Sequence, residues 1–251
     1  MDLVKSFFIA LSVYTALPVP QFQWDERPMA FSLCFLPFAG VCVGALTAAW
    51  FALASALNFS DFLTAAGAVA AGVLLTGGIH MDGWCDTWDA LGSHQPPERC
   101  LEIMSDSRSG AFAVIGCCLW VLLDFALYAE LMRRGVQNAA CFIFVLSRSV
   151  CAFLSVTLKG AKKGGMLAAF AAPARRRAVQ GASCLWGALA AAGLALYGTA
   201  LVWASVALVL TTAWYVRLTR RRFGGITGDT SGFFIQMSEL AMLAGLVLSA
   251  R

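Results

Sequence analysis

Long, uninterrupted apolar stretches constrain this chain more than any other feature of its sequence. Seven of them approach or exceed the roughly 20 residues that a helix needs to cross a bilayer, and they cover residues 31–57, 61–79, 110–132, 136–158, 178–197, 199–216 and 233–250. The apolar residues fill whole windows and leave no polar stripe of the kind that a water-facing helix carries. Apolar residues make up 60% of the chain and charged residues 13%, against about 45–50% and about 25% in soluble domains. The sequence therefore predicts an all-α, polytopic transmembrane helix bundle.

The N-terminal stretch 6–20 is an eighth and weaker candidate for a membrane segment. It holds about 12 membrane-compatible residues before Pro18 and Pro20, which is short for a crossing. We expect a tilted span or a re-entrant segment here, which gives about seven to eight membrane segments in all. Lys5 gives the start a weak signal-peptide character, but no small-residue cleavage site precedes the prolines. Because the loops are too short for a separate soluble domain, we expect one membrane domain over residues 1–251.

Positive charge is concentrated on one side of the predicted bundle. If the crossings are followed in order, four connecting segments fall on the same side, namely 20–30, 80–109, 159–177 and 217–230. Together they contain 13 of the 18 Lys and Arg residues. The positive-inside rule predicts that this side faces the cytoplasm. The net charge of +4 is small, and we expect contact with the lipid bilayer and none with nucleic acid.

Five of the six carboxylates between Gly77 and Gly110 lie at helical spacings. On helices they would form two stripes with i, i+4 spacing, which are Asp82, Asp86 and Asp89, and then Glu102 and Asp106. We expect these stripes to face each other in a cytoplasmic acidic hairpin. Like charges at such distances repel by about 1 kcal/mol or more per pair, so a divalent cation is expected to neutralise them. Mg²⁺ in particular binds a few carboxylates together with waters and phosphates. The ordinary alternative is a solvated acidic face.

His80 and Cys85 lie among these acids and raise the alternative of a zinc site with Asp82. Their spacing does not fit a closed tetrahedral site, and His94 is the only other histidine. A histidine packed at the lipid boundary is the simpler interpretation. The nine cysteines are scattered through apolar stretches without a CxxC motif, so we interpret them as small hydrophobic residues in helix packing.

Arg148 lies inside a predicted span, and Lys159 and two further lysines follow it. An arginine within a membrane usually has a partner and a function. Two hypotheses stay open: an ion pair with Asp124 of the preceding span, or bidentate binding of a phosphate near the cytoplasmic mouth. The lysines are equally consistent with topology signals or with contacts to lipid headgroups.

The segment from Arg220 to Gly232 combines a basic run with several glycines, Thr227 and Asp229. Gly-rich loops let backbone N–H groups approach a phosphate, although a simple interhelical turn has a similar composition. Glu239 in the last span is costly in a membrane and could face the same cavity. The chain thus combines carboxylates that can bind a cation, basic side chains that can bind an anion, and flexible backbone. Together these features indicate a Mg²⁺-dependent phosphotransferase that faces the cytoplasm.

Four motifs resemble those of the cobalamin synthase family, the adenosylcobinamide-GDP ribazoletransferases. They are GGIHMDGWCDTWDAL from Gly77, LEIMSDSRSGAFAVIG from Leu101, LSR from Leu146 and FGGITGDTSG from Phe223. The N-terminal TALPVP and RPMAFSLCFLPFAGVCVGAL also fit, so the resemblance covers nearly the whole chain. It implies a multi-pass enzyme of the bacterial inner membrane. Such an enzyme uses Mg²⁺ to join adenosylcobinamide-GDP to α-ribazole, or to its 5′-phosphate, and releases GMP.

The resemblance gives the polar residues expected roles. The predicted ligands of one or two Mg²⁺ ions are Asp82, Asp86, Asp89, Glu102 and Asp106. The predicted catalytic residues are Asp86, Asp106 and Arg108, and Asp106 is the first candidate to accept the proton of the attacking hydroxyl. The predicted substrate-binding residues are Arg148, Lys159, Gly225, Thr227 and Asp229.

Two other functions compete with this one. CDP-alcohol phosphotransferases of lipid synthesis perform formally similar chemistry, but the acidic spacing of this chain departs from theirs. A transporter could line a path with Arg148, Asp124 and Glu239, but no convincing internal repeat is seen and the acids cluster at the surface. With the cobalamin interpretation we also expect a possible homo-oligomer or an association with other enzymes of corrinoid synthesis.

Overall fold

The computed structural model describes residues 2–250, and within them it consists of α-helices joined by short connections. In chain order the helices are α1 (Asp2–Tyr14), α2 (Glu26–Ser32), α3 (Leu36–Ala56), α4 (Asp61–Leu75), α5 (Ile79–Gly92), α6 (Pro97–Ile103), α7 (Ala111–Arg134), α8 (Ala140–Ser155), α9 (Met166–Ala171), α10 (Arg176–Ala195), α11 (Ala200–Arg222) and α12 (Gly228–Ser249). Short 3₁₀ turns at Leu33–Phe35 and Gln137–Ala139 lead into α3 and α8. The predicted all-α class is confirmed.

Six helical stretches of the described residues are long and apolar enough to cross a membrane. They are Glu26–Ala56, Ala111–Arg134, Gln137–Ser155, Arg176–Ala195, Ala200–Arg222 and Gly228–Ser249. Each overlaps one of the predicted crossings, which confirms the polytopic helix bundle. The first of them combines α2 and α3, because the 3₁₀ turn between these helices continues the helical path.

The remaining predicted crossing, 61–79, is broken. The axes of α4 and α5 are bent by 91° at the turn between them, where Gly77 and Gly78 adopt φ angles of 61° and 77°. Such left-handed backbone commonly ends a helix, because glycine adopts it without steric cost. The N–H of Gly78 donates to the carbonyl oxygen of Val73 at 3.0 Å. The bend turns α5 aside, so its acids lie at one end of the bundle, which we call the site end.

The N-terminal segment that was expected to tilt or re-enter forms the short helix α1. With 13 residues it falls below the roughly 20 that a crossing needs, and it is not among the six spans. The chain after it is tied to the bend of α4, because the N–H of Ala16 donates to the carbonyl oxygen of Leu75 at 2.7 Å. α1 therefore lies against the bundle and places Tyr14 beside the site end.

Burial separates the central helices from the outer ones. Two-thirds (67%) of the apolar windows of α8 and α12 are buried, against 22% in α10 and α11. The outer helices expose large apolar side chains, such as Leu185 at 62% and Leu210 at 65%. In water this exposure would be costly, whereas hydrocarbon tails solvate it. The two central helices, α8 and α12, carry the polar groups of the bundle interior that are described below.

Candidate active site

Three carboxylates at the site end lie near enough for their charges to interact, those of Asp82 and Asp86 on α5 and of Asp229 in the first turn of α12; we call them the acidic cluster. The two helices approach closely because a glycine occupies the contact. A Cβ on Gly83 would lie only 2.5 Å from the carbonyl oxygen of Asp229. Asp229 was predicted in a substrate-binding loop, and the structure adds it to the acids of α5.

The acidic cluster carries more negative charge than its surroundings compensate. Burial is the largest cause that raises the pKa of Asp86 to about 7, and the charge of Asp82 adds to it. Asp229 and Asp89 act in the same direction, whereas Lys162 opposes the shift. The ammonium group of Lys162 is held by α6, where it donates to a carbonyl oxygen at 2.9 Å. One ammonium against several carboxylates leaves net negative charge, which favours cation binding.

Asp89 lies on the same helix but in a different environment. One of its carboxylate oxygens accepts a hydrogen bond from the N–H of Ala113 at 2.8 Å, and the other accepts from the N–H of Gly110. Asp89 therefore caps the start of α7, where a carboxylate satisfies free N–H groups and complements the helix dipole. A Cβ on Gly110 would lie 2.7 Å from Asp89 Oδ1, so a larger residue there would displace this carboxylate. The metal-ligand role of Asp89 stays a prediction.

The second predicted acidic stripe is engaged in ion pairs at the surface. Glu102 pairs with Arg99, and both side chains are more than 60% exposed, at 63% and 64%. Asp106 accepts a hydrogen bond from Arg108 Nη2 at 2.8 Å and another from the Arg108 backbone N–H. These bonds lower the pKa of Asp106 to about 2, which makes it a weak proton acceptor. The expected acidic hairpin is therefore unconfirmed, since the stripe of α5 faces α12.

Two more of the predicted substrate-binding residues, Gly225 and Thr227, lie in the loop between α11 and α12, which is hydrogen-bonded to the segment after α8. The backbone of Ile226 pairs with that of Lys159 and Ala161, at N–O distances of 2.9 and 2.8 Å. Gly225 fits beneath Lys159, because a Cβ there would lie 2.5 Å from the lysine carbonyl oxygen. Thr227 is buried and caps α12 by accepting the N–H three residues later at 3.1 Å. These residues fix the start of α12, and a contact with substrate stays a prediction.

Arg148 is enclosed in the interior of the bundle. It is 2% exposed, and its Nη1 lies 2.6 Å from a carboxylate oxygen of Glu239. The hydroxyl of Ser147 donates to the same oxygen at 2.6 Å. The partner of Arg148 is therefore Glu239 and not Asp124, which corrects one of the two hypotheses. The other, phosphate binding, gains no support from a guanidinium enclosed by helices.

Two adjacent cavities lie beside the acidic cluster. The outer cavity has a volume of about 430 Å³ and is bounded by the loop after α8, by α9 and by the first residues of α12, including Lys162 and Asp229. The inner cavity, of about 110 Å³, shares Asp229 and Gly228 with it and extends to Asp82. The outer volume lies in the range of small-molecule sites. A larger cavity of about 860 Å³ between α2 and α9 contains none of the acidic cluster.

Comparison with known proteins agrees with the resemblance seen in the motifs. The family model described as cobalamin-5-phosphate synthase matches residues 6–247. The chain belongs to this family. A relative from Lachnoclostridium phytofermentans, named adenosylcobinamide-GDP ribazoletransferase, is 36% identical over 99% of this chain and 94% of its own length. Relatives of the same name from Geobacillus thermodenitrificans and Pseudomonas entomophila are 34% and 36% identical, over 97% and 96% of this chain and 95% and 98% of their own lengths. No solved structure matches the chain.

In this member of the cobalamin-5-phosphate synthase family, the acidic cluster fits a hydrated cation and not an enclosed one. Within residues 2–250, no three Asp, Glu, His or Cys side chains are grouped closely enough to hold a metal ion by themselves. This argues against the zinc alternative with His80 and Cys85. Mg²⁺ needs no such cage, because it keeps several waters and binds through one or two carboxylates plus substrate phosphates. The uncompensated charge around Asp86 is the observation that fits such an ion.

Proposed function

We propose that this chain is an adenosylcobinamide-GDP ribazoletransferase, which completes the lower nucleotide loop of cobalamin. A hydroxyl oxygen of α-ribazole, or of its 5′-phosphate, attacks the phosphorus that carries the corrinoid. The bond from that phosphorus to the bridging oxygen of the diphosphate breaks, GMP leaves, and the hydroxyl proton passes to a base. The observation that carries the proposal is the acidic cluster at the junction of two cavities, in a chain whose relatives bear this name over nearly their full length.

Mg²⁺ is part of the proposal: one or two carboxylates of the acidic cluster (Asp82, Asp86 and Asp229) would hold it together with waters and the substrate diphosphate. When bound, the cation neutralises diphosphate charge and stabilises the GMP leaving group. These three side chains come from two helices that are in close contact at Gly83, so their positions are set before substrate arrives. Such preorganisation spares the reaction the free energy of gathering like charges.

Positive side chains at the rim would bind the diphosphate. Lys162 lines the outer cavity beside Asp229. Arg108 is more exposed, with 87% of its side chain accessible, and its pairing with Asp106 can be exchanged for a phosphate, which accepts the same bidentate bonds. Because that pairing lowers the pKa of Asp106, the proton-accepting role expected for Asp106 is weakly supported. Asp106 fits better as the residue that orients Arg108.

The site end is proposed to face the cytoplasm of a bacterial cell, across the inner membrane. Basic residues end α11 at this end, where Arg220 to Arg222 form its last turn, and Arg176 begins α10 there. The opposite end carries fewer basic residues: Arg133 and Arg134 end α7 there, and the loop between α10 and α11 contains no Lys or Arg over residues 196–199. This asymmetry follows the positive-inside rule. A cytoplasmic site also gives soluble nucleotides direct access to the outer cavity.

The direct test is to incubate the purified protein in detergent with Mg²⁺, adenosylcobinamide-GDP and α-ribazole, and to measure GMP and the corrinoid product. We expect both products in equal amounts, no reaction in EDTA, and recovery when Mg²⁺ is restored. Product formation that persists in EDTA would reject the metal. If a CDP-alcohol reacts and the corrinoid does not, the lipid-synthesis alternative replaces the proposal.

A matched pair of variants tests the acidic cluster itself. Asp229→Asn should reduce transfer by about 100-fold, because it removes one charge that holds the cation. Asp61→Asn makes the same chemical change at the exposed start of α4 and should leave the rate unchanged. Equal rates for the two variants would remove Asp229 from the site.

A further inference from the structure

We propose that the cavity of about 860 Å³ between α2 and α9 binds the headgroup of a zwitterionic phospholipid with a primary ammonium group, such as phosphatidylethanolamine. We call it the α2–α9 cavity. Its walls contain none of the acidic cluster, so the proposed transfer reaction does not account for it. Its volume lies within the roughly 300–1,000 Å³ of small-molecule sites. The inference does not rest on the proposed function.

The α2–α9 cavity lies at the site end, where two membrane-spanning helices begin. Glu26 starts the first apolar stretch that is long enough to cross a membrane, and Arg175 directly precedes the span that begins at Arg176. Ala172 lines both this cavity and the outer cavity. Trp24 in the wall is 50% exposed, and tryptophan is enriched where a bilayer meets water. The cavity is therefore at the level that lipid headgroups occupy.

The charged groups of the wall match both charges of a zwitterion. Two carboxylates and two guanidinium groups line the cavity, those of Asp2, Glu26, Arg27 and Arg175. Within residues 2–250, the ion pairs of the chain involve none of these four side chains. Guanidinium groups suit a phosphate, which accepts two parallel hydrogen bonds from arginine. The carboxylates suit an ammonium group, and they would repel an anionic headgroup or a free phosphate.

Parts of the wall are held in position by contacts within the protein. The guanidinium carbon of Arg175 lies 5.1 Å from the centre of the Phe31 ring, and the backbone N–H of Arg175 donates to the carbonyl oxygen of Ala30 at 2.9 Å. Phe170 of α9 is 1% exposed and packs edge-on against Trp24, with ring centroids 5.4 Å apart. Side chains that are already ordered lose less conformational entropy on binding, which favours a specific site.

Apolar surface beside the cavity fits the acyl chains of a lipid. Leu3 and Val4 follow Asp2 on α1, and they are 56% and 59% exposed. The start of α1 is held against α2, because the hydroxyl of Ser6 donates to the carbonyl oxygen of Pro28 at 2.6 Å. Charged groups next to exposed apolar side chains match an amphiphile and not a soluble ion. Since α9 borders the outer cavity as well, a bound lipid would also support a wall of the candidate active site.

The test is native mass spectrometry of the detergent-purified protein with equal amounts of phosphatidylethanolamine, phosphatidylcholine and phosphatidylglycerol. Phosphatidylcholine has the same charges but no ammonium N–H, and phosphatidylglycerol has no cation. We expect one phosphatidylethanolamine per chain, retained at least about tenfold better than either other lipid, because only its ammonium group can donate charge-assisted hydrogen bonds to the carboxylates. Glycerophosphoethanolamine, which is the same headgroup without acyl chains, should not displace the lipid at equal concentration.

Matched variants locate the bound lipid. Glu26→Gln and Arg175→Gln should each reduce the retention of phosphatidylethanolamine by about tenfold, because each removes one charge from the wall. Glu98→Gln and Arg177→Gln make the same changes at exposed residues that do not line the cavity, and they should retain the lipid fully.

Several results would overturn the proposal. They are equal retention of the three lipids, a preference for phosphatidylglycerol, full retention by both cavity variants, and displacement by glycerophosphoethanolamine. A higher KM for adenosylcobinamide-GDP in Arg175→Gln, with lipid retention unchanged, would assign the cavity to the large substrate and overturn it as well. A protein that retains phosphatidylethanolamine selectively but releases no GMP supports this inference and rejects the proposed function.

Discussion

At the scale of single residues, identical carboxylates have different tasks that are set by their neighbours. Asp86 faces other acids and only one lysine, so burial and repulsion raise its pKa to about 7. Asp89, less than one turn further along α5, accepts two backbone N–H groups of α7. Asp106 is bound to Arg108, which lowers its pKa to about 2. Sequence spacing alone assigns all three to metal binding, because spacing does not show which partners the rest of the fold supplies.

The difference between Asp86 and Asp89 can be measured with one chemical change. Asp89→Asn keeps an oxygen that can cap α7, so transfer should fall by less than about tenfold and stability by about 1 kcal/mol. Asp86→Asn should reduce transfer by about 100-fold with little change in stability. Initial rates in saturating Mg²⁺ and thermal unfolding in detergent distinguish them. A loss of activity as large in Asp89→Asn as in Asp86→Asn would make Asp89 a ligand after all.

Two residues show which parts of the site a sequence can and cannot reveal. Arg148 stands out as an intramembrane charge, and its need for a partner is correctly predicted. Its partner, Glu239, lies 91 residues further along the chain, and the sequence contains no information about the relative rotation of α8 and α12. Asp229 was predicted as a substrate-binding residue, but its place beside Asp82 depends on how closely α12 approaches α5. The small residues at that crossing were the available signal.

At the scale of helices, the crossing of α5 and α12 decides the geometry of the acidic cluster. Cβ atoms on Gly83 and Gly232 would lie 2.5 Å and 3.1 Å from carbonyl oxygens of the opposite helix. Small residues at such contacts let helix backbones approach within a membrane. The membrane-spanning helices themselves were predicted well, because the length of an apolar stretch is a property of the local sequence. The break after α4 was missed, although Gly77 and Gly78 mark it.

Separating the two helices should disable the site without unfolding the bundle. Gly83→Ala places a methyl group against Asp229, so α5 must shift, at a cost of about 1–3 kcal/mol, and transfer should fall by at least about tenfold. Gly72→Ala is the control, since a Cβ there meets no atom within 4 Å, and it should leave activity unchanged. Rates and unfolding midpoints are measured for both. Normal transfer by Gly83→Ala would show that this contact does not set the geometry.

At the scale of the whole molecule, α12 connects the interior of the bundle to its chemistry. Its first turn carries Asp229, and its middle carries Glu239, which is bonded to Arg148 and Ser147 of α8. Lipid-facing helices such as α10 and α11 expose leucines around these central helices. A buried ion pair contributes little net stability but favours one alignment of the two helices, since a misaligned pair leaves a buried charge without its partner. The position of the acidic cluster thus depends on a contact well inside the membrane.

This dependence predicts a non-additive pattern of stability. Arg148→Met leaves Glu239 without its cation and should lower the free energy of unfolding by about 3–5 kcal/mol, while the double variant with Glu239→Gln should recover most of that loss. Arg133→Met breaks a pair with Glu130 whose arginine is 66% exposed, and should cost less than about 1 kcal/mol. SDS titration of the detergent-solubilised unmodified protein and of the three variants gives these values. If the double variant is no more stable than Arg148→Met alone, the charges do not act as a pair, and packing of the arginine stem holds the two helices together.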